Sequence, residues 1–282
     1  MTPRRVATAF LVHALLLITV AFALYPLLWV VSQALSPGDA PEARILPLPS
    51  SPSLEHFSAV LGQAREDGTL LFPLQLFNSV LVSGLTALVA ILIATPAAYA
   101  MSRFRFVGAQ AGTRALLATQ MFPGVAASIP LYLLLDFTGL LDTRSGLILV
   151  YATSAVPFAI FQLRGAFDSI PRDLEEAAMV DGATRFGAFV RVVLPAARPA
   201  LAITALFAFM QAWNEFILAA TFLSREELFT LPIVLQRYAG EYDMNFGHFA
   251  AGAILVSIPV MLLFYGLQRQ LVSGLTAGGV KG

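Results

Sequence analysis

Apolar residues in this chain gather in six long runs separated by polar segments. A hydrocarbon core about 30 Å thick needs roughly 20 mostly apolar residues in helical form. The runs come close to or meet that length, at Ala9–Ala34, Phe77–Met101, Ala115–Leu135, Gly146–Leu163, Ala200–Phe222 and Phe249–Leu267. None shows the strict alternation of a barrel strand. We therefore predict an all-α membrane protein, a bundle of six transmembrane helices.

The composition supports a lipid environment. Of 282 residues, 58% are hydrophobic and only 12% are charged, with a mean hydropathy of +0.78. A soluble domain has about a quarter of its residues charged. Arg4 and Arg5 precede the first run, as in a signal peptide, but that run exceeds the roughly 7–15 residues of a signal core. We interpret it as a retained span.

The distribution of basic residues predicts the orientation of the spans, since cytoplasmic loops carry the excess of Lys and Arg. One set of loops holds Arg4, Arg5, Arg103, Arg105, Arg114, Arg164, Arg172, Arg185, Arg191, Arg198, Arg269 and Lys281. The other set holds only Arg44, Arg65, Arg144, Arg225 and Arg237. Both termini are therefore predicted to be cytoplasmic.

Several kinds of chemistry are not expected of this chain. It has no cysteine, and His13, His56 and His248 lie far apart in the sequence, so we predict neither a metal site nor a catalytic residue. A P-loop needs Gly-Lys followed by Ser or Thr, and the single lysine, Lys281, is not in that context. The net charge of zero gives no sign of a nucleic-acid partner. Energy for any transport must come from another chain or from an ion gradient.

The segment between the fourth and fifth runs, residues 164–199, has the pattern of two short helices. Ser169 and Pro171 signal the start of a helix, and the acidic residues that follow favour its first turns. Gly182 provides a stop, because glycine accepts the left-handed conformation at a helix end. A second helix is predicted over Thr184–Leu194, ending before Pro195.

One face of the first short helix invites two interpretations. Leu174, Ala177, Ala178 and Asp181 fall on one side at spacings of three and four. The small residues on this side would let another protein approach closely, with Glu176 beside them as an anionic partner for an arginine. A solvated amphipathic helix at the membrane surface fits the pattern equally well.

A longer spaced pattern adds a family resemblance to this segment. The residues Glu176-Ala177-Ala178, then Gly182 and Leu194-Pro195, are similar to the EAA motif of ABC importer permeases, with Val192 where the family usually has isoleucine. The resemblance implies a type I ABC importer permease fold, with this loop as the coupling helix that docks on a separate ATPase. It implies that Glu176 pairs with a basic residue there. The implied docking residues are Glu176, Ala177, Ala178, Asp181, Gly182, Leu194 and Pro195.

The carboxyl-terminal third resembles the sugar permeases of maltose-type importers. The resemblance rests on Trp213–Phe216, Phe229–Pro232, Phe249–Ala251 and the tail Gly274–Gly282. It implies half of a heterodimer, with a second permease subunit, a dimeric ATPase holding ATP and Mg²⁺, and an extracytoplasmic sugar-binding protein. This chain itself would carry no cofactor and would lie in a bacterial or archaeal cytoplasmic (inner) membrane. The ATPase-contacting tail residues would be Gly278, Gly279, Val280, Lys281 and Gly282.

The implied substrate is a sugar of the maltose or maltodextrin kind. An importer of trehalose or another oligosaccharide remains open, since such systems share much of the tail. The alternative class is an ion-driven secondary transporter, for which Glu215 would be the only titratable candidate within a span.

Two further groups of residues are candidate sites, each with a plainer alternative. The resemblance implies that Leu231, Pro232, Gln236 and Tyr238, in the loop 223–248, face the binding protein; the alternative is an ordinary loop resting on the bundle. Separately, Gln211, Asn214 and Glu215 lie in the outer half of the fifth run. Polar groups at that depth are functional candidates by default, and the alternative is a set of structural hydrogen bonds near the interface.

The expected organisation has three parts. Residues 1–72 form the first span and an external segment, residues 73–268 form the transmembrane domain with the coupling loop at 164–199, and residues 269–282 form a cytoplasmic tail.

Overall fold

A computed structural model describes residues 3–38, 45–49, 51–240 and 245–279. Within those ranges the chain is helical, and strand-like pairing is limited to an isolated bridge between Ala64 and Leu70. Four of the described helices are long and apolar enough to cross a membrane, and the total rises to six if each of two sharply bent helix pairs is one span. The all-α prediction is confirmed for this part of the chain.

The helices are numbered here in their order along the chain. They are α1 (Pro3–Leu35), α2 (Glu55–Gly62), α3 (Leu71–Arg103), α4 (Ala109–Gln120), α5 (Ser128–Phe137), α6 (Arg144–Ser169), α7 (Asp173–Val180), α8 (Arg185–Ala188), α9 (Leu194–Ala196), α10 (Arg198–Trp213), α11 (Ile217–Phe222), α12 (Leu231–Tyr238) and α13 (Phe246–Gly279).

Residues 1–73 and 234–258 form one compact unit. In it the buried His56 places its Nε2 2.9 Å from the carbonyl oxygen of Ser36, and its ring meets that of His248 edge-on at 5.0 Å. A Cβ atom on Gly247 would lie 2.1 Å from the His56 ring, so glycine is required there. The fold thus brings together two histidines that the sequence shows far apart, in a packing contact.

Residues 74–233 and 259–282 form the second unit. Its core rests on small side chains: Ala87 and Ala90 of α3 pack with Ala155 of α6 and Ala208 of α10, all buried. Small residues let helix backbones approach closely, which gives the van der Waals contact that holds helices together where water is absent.

The third predicted span, Ala115–Leu135, is wrong as a continuous helix. The chain instead forms α4, leaves helical geometry at Met121–Pro123, makes a 3₁₀ turn over Gly124–Ala127 and continues as α5. The two halves are bent by 91°. Pro123 permits the break, because it has no N–H to donate and holds an extended conformation (φ −62°, ψ 120°) before the 3₁₀ turn.

The fifth predicted span, Ala200–Phe222, is also interrupted. Helix α10 ends at Trp213, and α11 starts again at Ile217. The second short helix of the loop does not stop before Pro195 as predicted: a π-helical turn, Phe189–Val193, carries it through Pro195 to Ala196. The π turn changes the hydrogen-bond register just before a residue that cannot donate, so proline is accommodated. The bend of 74° comes afterwards, before α10.

The loops predicted to share a side of the membrane meet each other in the second unit. Asp142, in the connection before α6, forms an ion pair of 2.7 Å with Arg225, which follows α11. Asn78 of α3 donates to the carbonyl oxygens of Glu227 and Phe229. The segment predicted to be the coupling loop, residues 164–199, begins at the opposite end of α3 and α6.

Candidate functional site

The predicted coupling loop, residues 164–199, is built around helix α7 and a left-handed turn at Gly182. The N–H of Gly182 donates to the carbonyl of Met179, and the N–H of Ala183 donates to that of Ala178. Gly182 has φ +90°. These two bonds and the positive φ are a Schellman cap, so the predicted glycine stop is confirmed. Thr184 then starts the next helix, since its side chain accepts a hydrogen bond from the N–H of Gly187.

The two adjacent glutamates of α7 have opposite environments. Glu175 is 7% exposed: one carboxylate oxygen accepts from the Tyr99 hydroxyl at 2.8 Å, and the other forms an ion pair with Arg103 Nε. Glu176, about 100° further round the helix, is exposed. The chain thus uses one glutamate to hold α7 and leaves the next one available to a partner.

Further hydrogen bonds hold Arg103 and the start of α7 against the ends of α3 and α6. Arg103 also donates to the carbonyl oxygen of Ile170, and Arg172 donates to that of Ser102, both at 3.0 Å. The Ser102 hydroxyl donates to Asp168 at 2.6 Å. The sequence does not predict this network, because Glu175 is one of three acidic residues in the first turn of α7. No spacing rule separates it from Glu176.

Aromatic packing supports the loop beneath these polar contacts. The buried Phe189 lies against Tyr99 with ring centroids 4.3 Å apart and near Phe167 at 6.4 Å. Val193 is fully buried, and Leu194 packs against the same cluster. Leu194 therefore supports the loop from inside the bundle, and a docking role fits the more exposed members of its motif better.

The outer surface of the loop exposes apolar side chains. Leu174, Val180 and Phe186 are 48%, 86% and 74% exposed, beside the exposed Glu176 and Ala177. Ala178 is half-buried. Large exposed apolar side chains of this kind occur on surfaces that another protein or a membrane covers.

A second site is an open cleft of about 690 Å³ between α4, α5, α6, α10 and α11. It is lined by the polar residues Gln120, Ser154 and Gln211, together with Glu215 and Tyr151. Of the three residues predicted for a pathway, the structure places Gln211 and Glu215 here. Asn214 does not line the cleft, and its amide donates to the Met210 carbonyl of its own helix at 2.9 Å.

Glu215 has a structural task at the break between α10 and α11. Its two carboxylate oxygens accept from the backbone N–H groups of Leu218 and Ala219, at 2.8 and 3.0 Å. The Tyr151 hydroxyl donates to it as well. A carboxylate at a helix N-terminus satisfies donors that have no partner within the helix, so this geometry agrees with the structural alternative for Glu215.

The segment predicted to face the binding protein contains helix α12. Gln236 is exposed, and Pro232 and Tyr238 are half-buried. Leu231 is fully buried, and its N–H donates to the Ser79 hydroxyl at 2.7 Å. Contact with a partner does not fit Leu231, whose side chain holds the segment in place. In the tail, Gly278 and Gly279 end helix α13, while Val280, Lys281 and Gly282 lie outside the described residues.

The described residues hold no cluster of three or more His, Cys, Asp or Glu side chains able to bind a metal ion.

Comparison with known proteins places these features in a family. Residues 87–276 match the model of the binding-protein-dependent transport system inner membrane component. The chain is 36% identical to the trehalose transport system permease protein SugB of Mycobacterium tuberculosis, over 94% of this chain and 95% of that protein. It is also 36% identical to the maltose/maltodextrin transport system permease protein MalG of Escherichia coli, over 98% of this chain and 97% of that protein.

A solved structure agrees with the sequence matches. A chain of a bacterial ABC transporter involved in the import of the acidic polysaccharide alginate superposes with a TM-score of 0.77 and 26% identity, over 96% of this chain and 99% of that one. The chain therefore belongs to the family of binding-protein-dependent transport system inner membrane components, and it is a permease subunit of an ABC importer and not an enzyme.

Proposed function

We propose that this chain is one of two permease subunits of an ATP-driven sugar importer of the maltose or maltodextrin type. It would form half of the translocation pathway, dock on a dimeric ATPase that holds ATP and Mg²⁺, and receive sugar from an extracytoplasmic binding protein. Closure of the ATPase dimer would move the coupling loop and switch the pathway between outward- and inward-open states, a two-state change driven by differential binding.

The observation that carries this proposal is that Glu175 is buried and bonded to a span, whereas the adjacent Glu176 is exposed. A docking element must transmit force to the spans, so it has to be fixed to them on one face and free on the other. Glu175 is bonded to Tyr99 and Arg103 of the span α3, whereas Glu176 is exposed on the outer face. This arrangement supports a rigid coupling helix better than an amphipathic helix lying in the membrane surface.

The substrate class is proposed from the relatives. Two of them are named for maltose/maltodextrin and for trehalose transport, at equal identity. The tail motif favours the maltose type, and trehalose or another oligosaccharide is the second candidate. A panel of maltose, maltodextrins and trehalose, tested for stimulation of ATP hydrolysis in the presence of the binding protein, separates them.

The proposal also includes the orientation of the chain in the membrane and the surfaces that contact its partners. The distribution of basic residues supports a multi-pass protein of the inner membrane with both termini in the cytoplasm. Pro232, Gln236 and Tyr238 would face the binding protein, and the tail Gly278–Gly282 would contact the ATPase from the cytoplasmic side. If the two bent helix pairs are each one span, the chain crosses the membrane six times.

The central test is charge reversal at the exposed glutamate. Glu176→Lys should lose most of the sugar uptake and of the ATPase activity stimulated by the binding protein, because it places a cation opposite the basic residue of the ATPase. Both rates are measured on the complete complex in proteoliposomes. The matched control is Glu66→Lys, an exposed glutamate in the segment predicted to be external, which should leave both rates unchanged. Equal rates in Glu176→Lys and wild type would contradict the role of Glu176.

An ion-driven transporter is distinguished by the energy source. Uptake is measured with ATP inside the vesicles and with the proton gradient collapsed by an ionophore, and the proposal expects it to persist. The geometry of Glu215 favours this outcome, since its two oxygens are engaged by Leu218, Ala219 and Tyr151. Uptake that needs the gradient and not ATP would instead support the ion-driven class.

A further inference from the structure

The cleft between α4, α5, α6, α10 and α11 has a polar lining at a depth where lipid would be expected. Thr153 and Ser154 lie near the middle of the 26-residue helix α6, and Gln120 and Gln211 face the same cleft. All four are exposed. Exposed hydrogen-bonding groups within a span are costly against hydrocarbon and are usually found facing water or protein.

Two helix breaks of the second unit border this cleft. Phe122 and Gly124, at the break between α4 and α5, line it, and so do Glu215 and Ile217, at the break between α10 and α11. Backbone that leaves helical geometry at membrane depth is tolerated where it is buried in protein or lines a water-filled cavity. Discontinuous helices of this kind commonly build the substrate sites of transporters.

The groups that face the cleft suit hydroxyl partners. The side chain of Gln211 has no hydrogen bond to another described residue, so its amide can both donate and accept. The hydroxyls of Thr153 and Ser154 donate to carbonyls of their own helix, which leaves oxygen lone pairs free to accept. Phe122 is 62% exposed and offers an apolar surface for the C–H face of a sugar ring. The volume of about 690 Å³ lies within the range of about 300–1,000 Å³ typical of small-molecule sites.

The charge of the lining narrows the ligand class. Among the described residues that line the cleft there is no Lys, Arg or His, and the only carboxylate is Glu215. Glu215 is engaged by Tyr151 and by the first turn of α11. A site for an acidic sugar would need cationic or several N–H donors to balance carboxylates. Amides and hydroxyls without a cation match an uncharged polyhydroxyl compound.

We infer that this cleft is the part of the translocation pathway that this subunit contributes, and that Gln120, Ser154 and Gln211 contact an uncharged oligosaccharide within it. The inference rests on the proposed function, because it assumes that the cargo is a sugar. It adds where the sugar touches this chain and excludes acidic sugars as preferred cargo. Glu215 shapes the cleft as a helix cap and is not a sugar ligand.

The absence of cysteine from the chain makes the cleft directly testable. Ser154→Cys and Gln211→Cys are made separately in the complete complex, in proteoliposomes, and exposed to a cationic methanethiosulfonate reagent that does not cross the bilayer. Labelling is measured by the mass of this chain alone, so thiols of partner subunits do not count. The control is Ser257→Cys on α13, another exposed serine whose hydroxyl donates to its own helix and which does not line the cleft.

The cleft thiols should react at least about tenfold faster than the control thiol, since the reagent attacks the thiolate, which needs water. Saturating maltotriose with the binding protein should slow their labelling, and alginate oligosaccharides should not. The inference is overturned if the thiols at 154 and 211 react no faster than the one at 257, if maltotriose gives no protection in a complex that transports it, or if the acidic sugar protects equally well. Failure of the proposed function is separate: the wild-type complex would then take up no sugar of the panel.

Discussion

The buried ion pair between Arg103 and Glu175 holds helix α7 against α3. Its contribution to stability can be measured by comparing a substitution at Glu175 with one at the exposed neighbour, Glu176. Glu175→Ala removes the carboxylate that accepts from Tyr99 and Arg103. The side chains of Arg103 and Glu175 are only 6% and 9% exposed. Water therefore cannot easily replace the lost partner, and Arg103 is left as a buried cation that has lost its counter-ion.

Breaking a buried pair by removing one partner costs about 3–5 kcal/mol. The Tyr99 hydroxyl also loses its acceptor, which in other proteins costs about 1–3 kcal/mol, but the two terms share the same carboxylate and do not simply add. Arg103 keeps its bonds to Ser102 and Ile170, which limits the loss. We expect Glu175→Ala to destabilise the folded subunit by about 3–4 kcal/mol.

The assay is thermal unfolding of the purified complex, followed together with limited proteolysis of the loop 164–199. The matched control is Glu176→Ala, which should change stability by no more than about 0.5 kcal/mol, as for other exposed positions. The double variant Arg103→Met with Glu175→Leu should recover part of the loss, because it leaves no unpaired buried charge. If Glu175→Ala unfolds at the same temperature as Glu176→Ala, the anchoring role of the ion pair is wrong.

Two other substitutions test the opposite end of the second unit. Gly146→Ala should destabilise the subunit by about 1–3 kcal/mol, since the added Cβ would lie 2.2 Å from the Leu140 carbonyl oxygen. The control, Gly165→Ala in the same helix, meets open space and should be neutral or slightly stabilising. Equal melting temperatures for the two variants would contradict the packing argument. Burial alone would raise the pKa of Asp142, but hydrogen bonds from Ser224 and Arg225 outweigh it and hold that pKa below its usual value. Asp142→Asn should therefore lower stability by about 1 kcal/mol throughout pH 5–8. The difference from wild type should shrink only as the pH falls below about 4, the usual pKa of an aspartate in the unfolded chain, and it should be lost once the pH passes below the lowered pKa of the folded state. A difference that grows on acidification would show that the sign is wrong.

Local features of the sequence were sufficient for the elements that depend on local physics. Hydrophobic runs locate spans because each residue in lipid must be apolar and must satisfy its own backbone bonds, whatever its neighbours are. Gly182 marks the end of α7 because a positive φ is a property of one residue and its type. The motif from Glu176 to Pro195 was recognisable for a related reason, since it is a pattern of residues along one short stretch.

Features that depend on which residues meet across the chain could not be derived in this way. Glu175 and Glu176 are identical in type and adjacent, and only the approach of Arg103 and Tyr99 decides which of them is buried. The break after α4 also depends on contacts across the chain. Pro123 permits a break there, as Pro157 does in α6, yet α6 continues through its proline while α4 ends before Pro123. A proline removes one hydrogen bond in either helix, and the packing around it decides whether the helix continues.

The cleft residues show most clearly what the sequence can identify and what only the tertiary structure decides. Composition and periodicity identified Gln211 and Glu215 as polar residues at membrane depth, but they could not tell a ligand from a helix cap. The tertiary structure separates them, because Glu215 meets the N–H groups of Leu218 and Ala219 while Gln211 faces an open cleft. The sequence alone therefore determined the all-α class, the apolar runs and the glycine stop at Gly182, which follow from short-range chemistry. Only the tertiary structure decided which polar groups are already satisfied within the fold and which remain available for a partner.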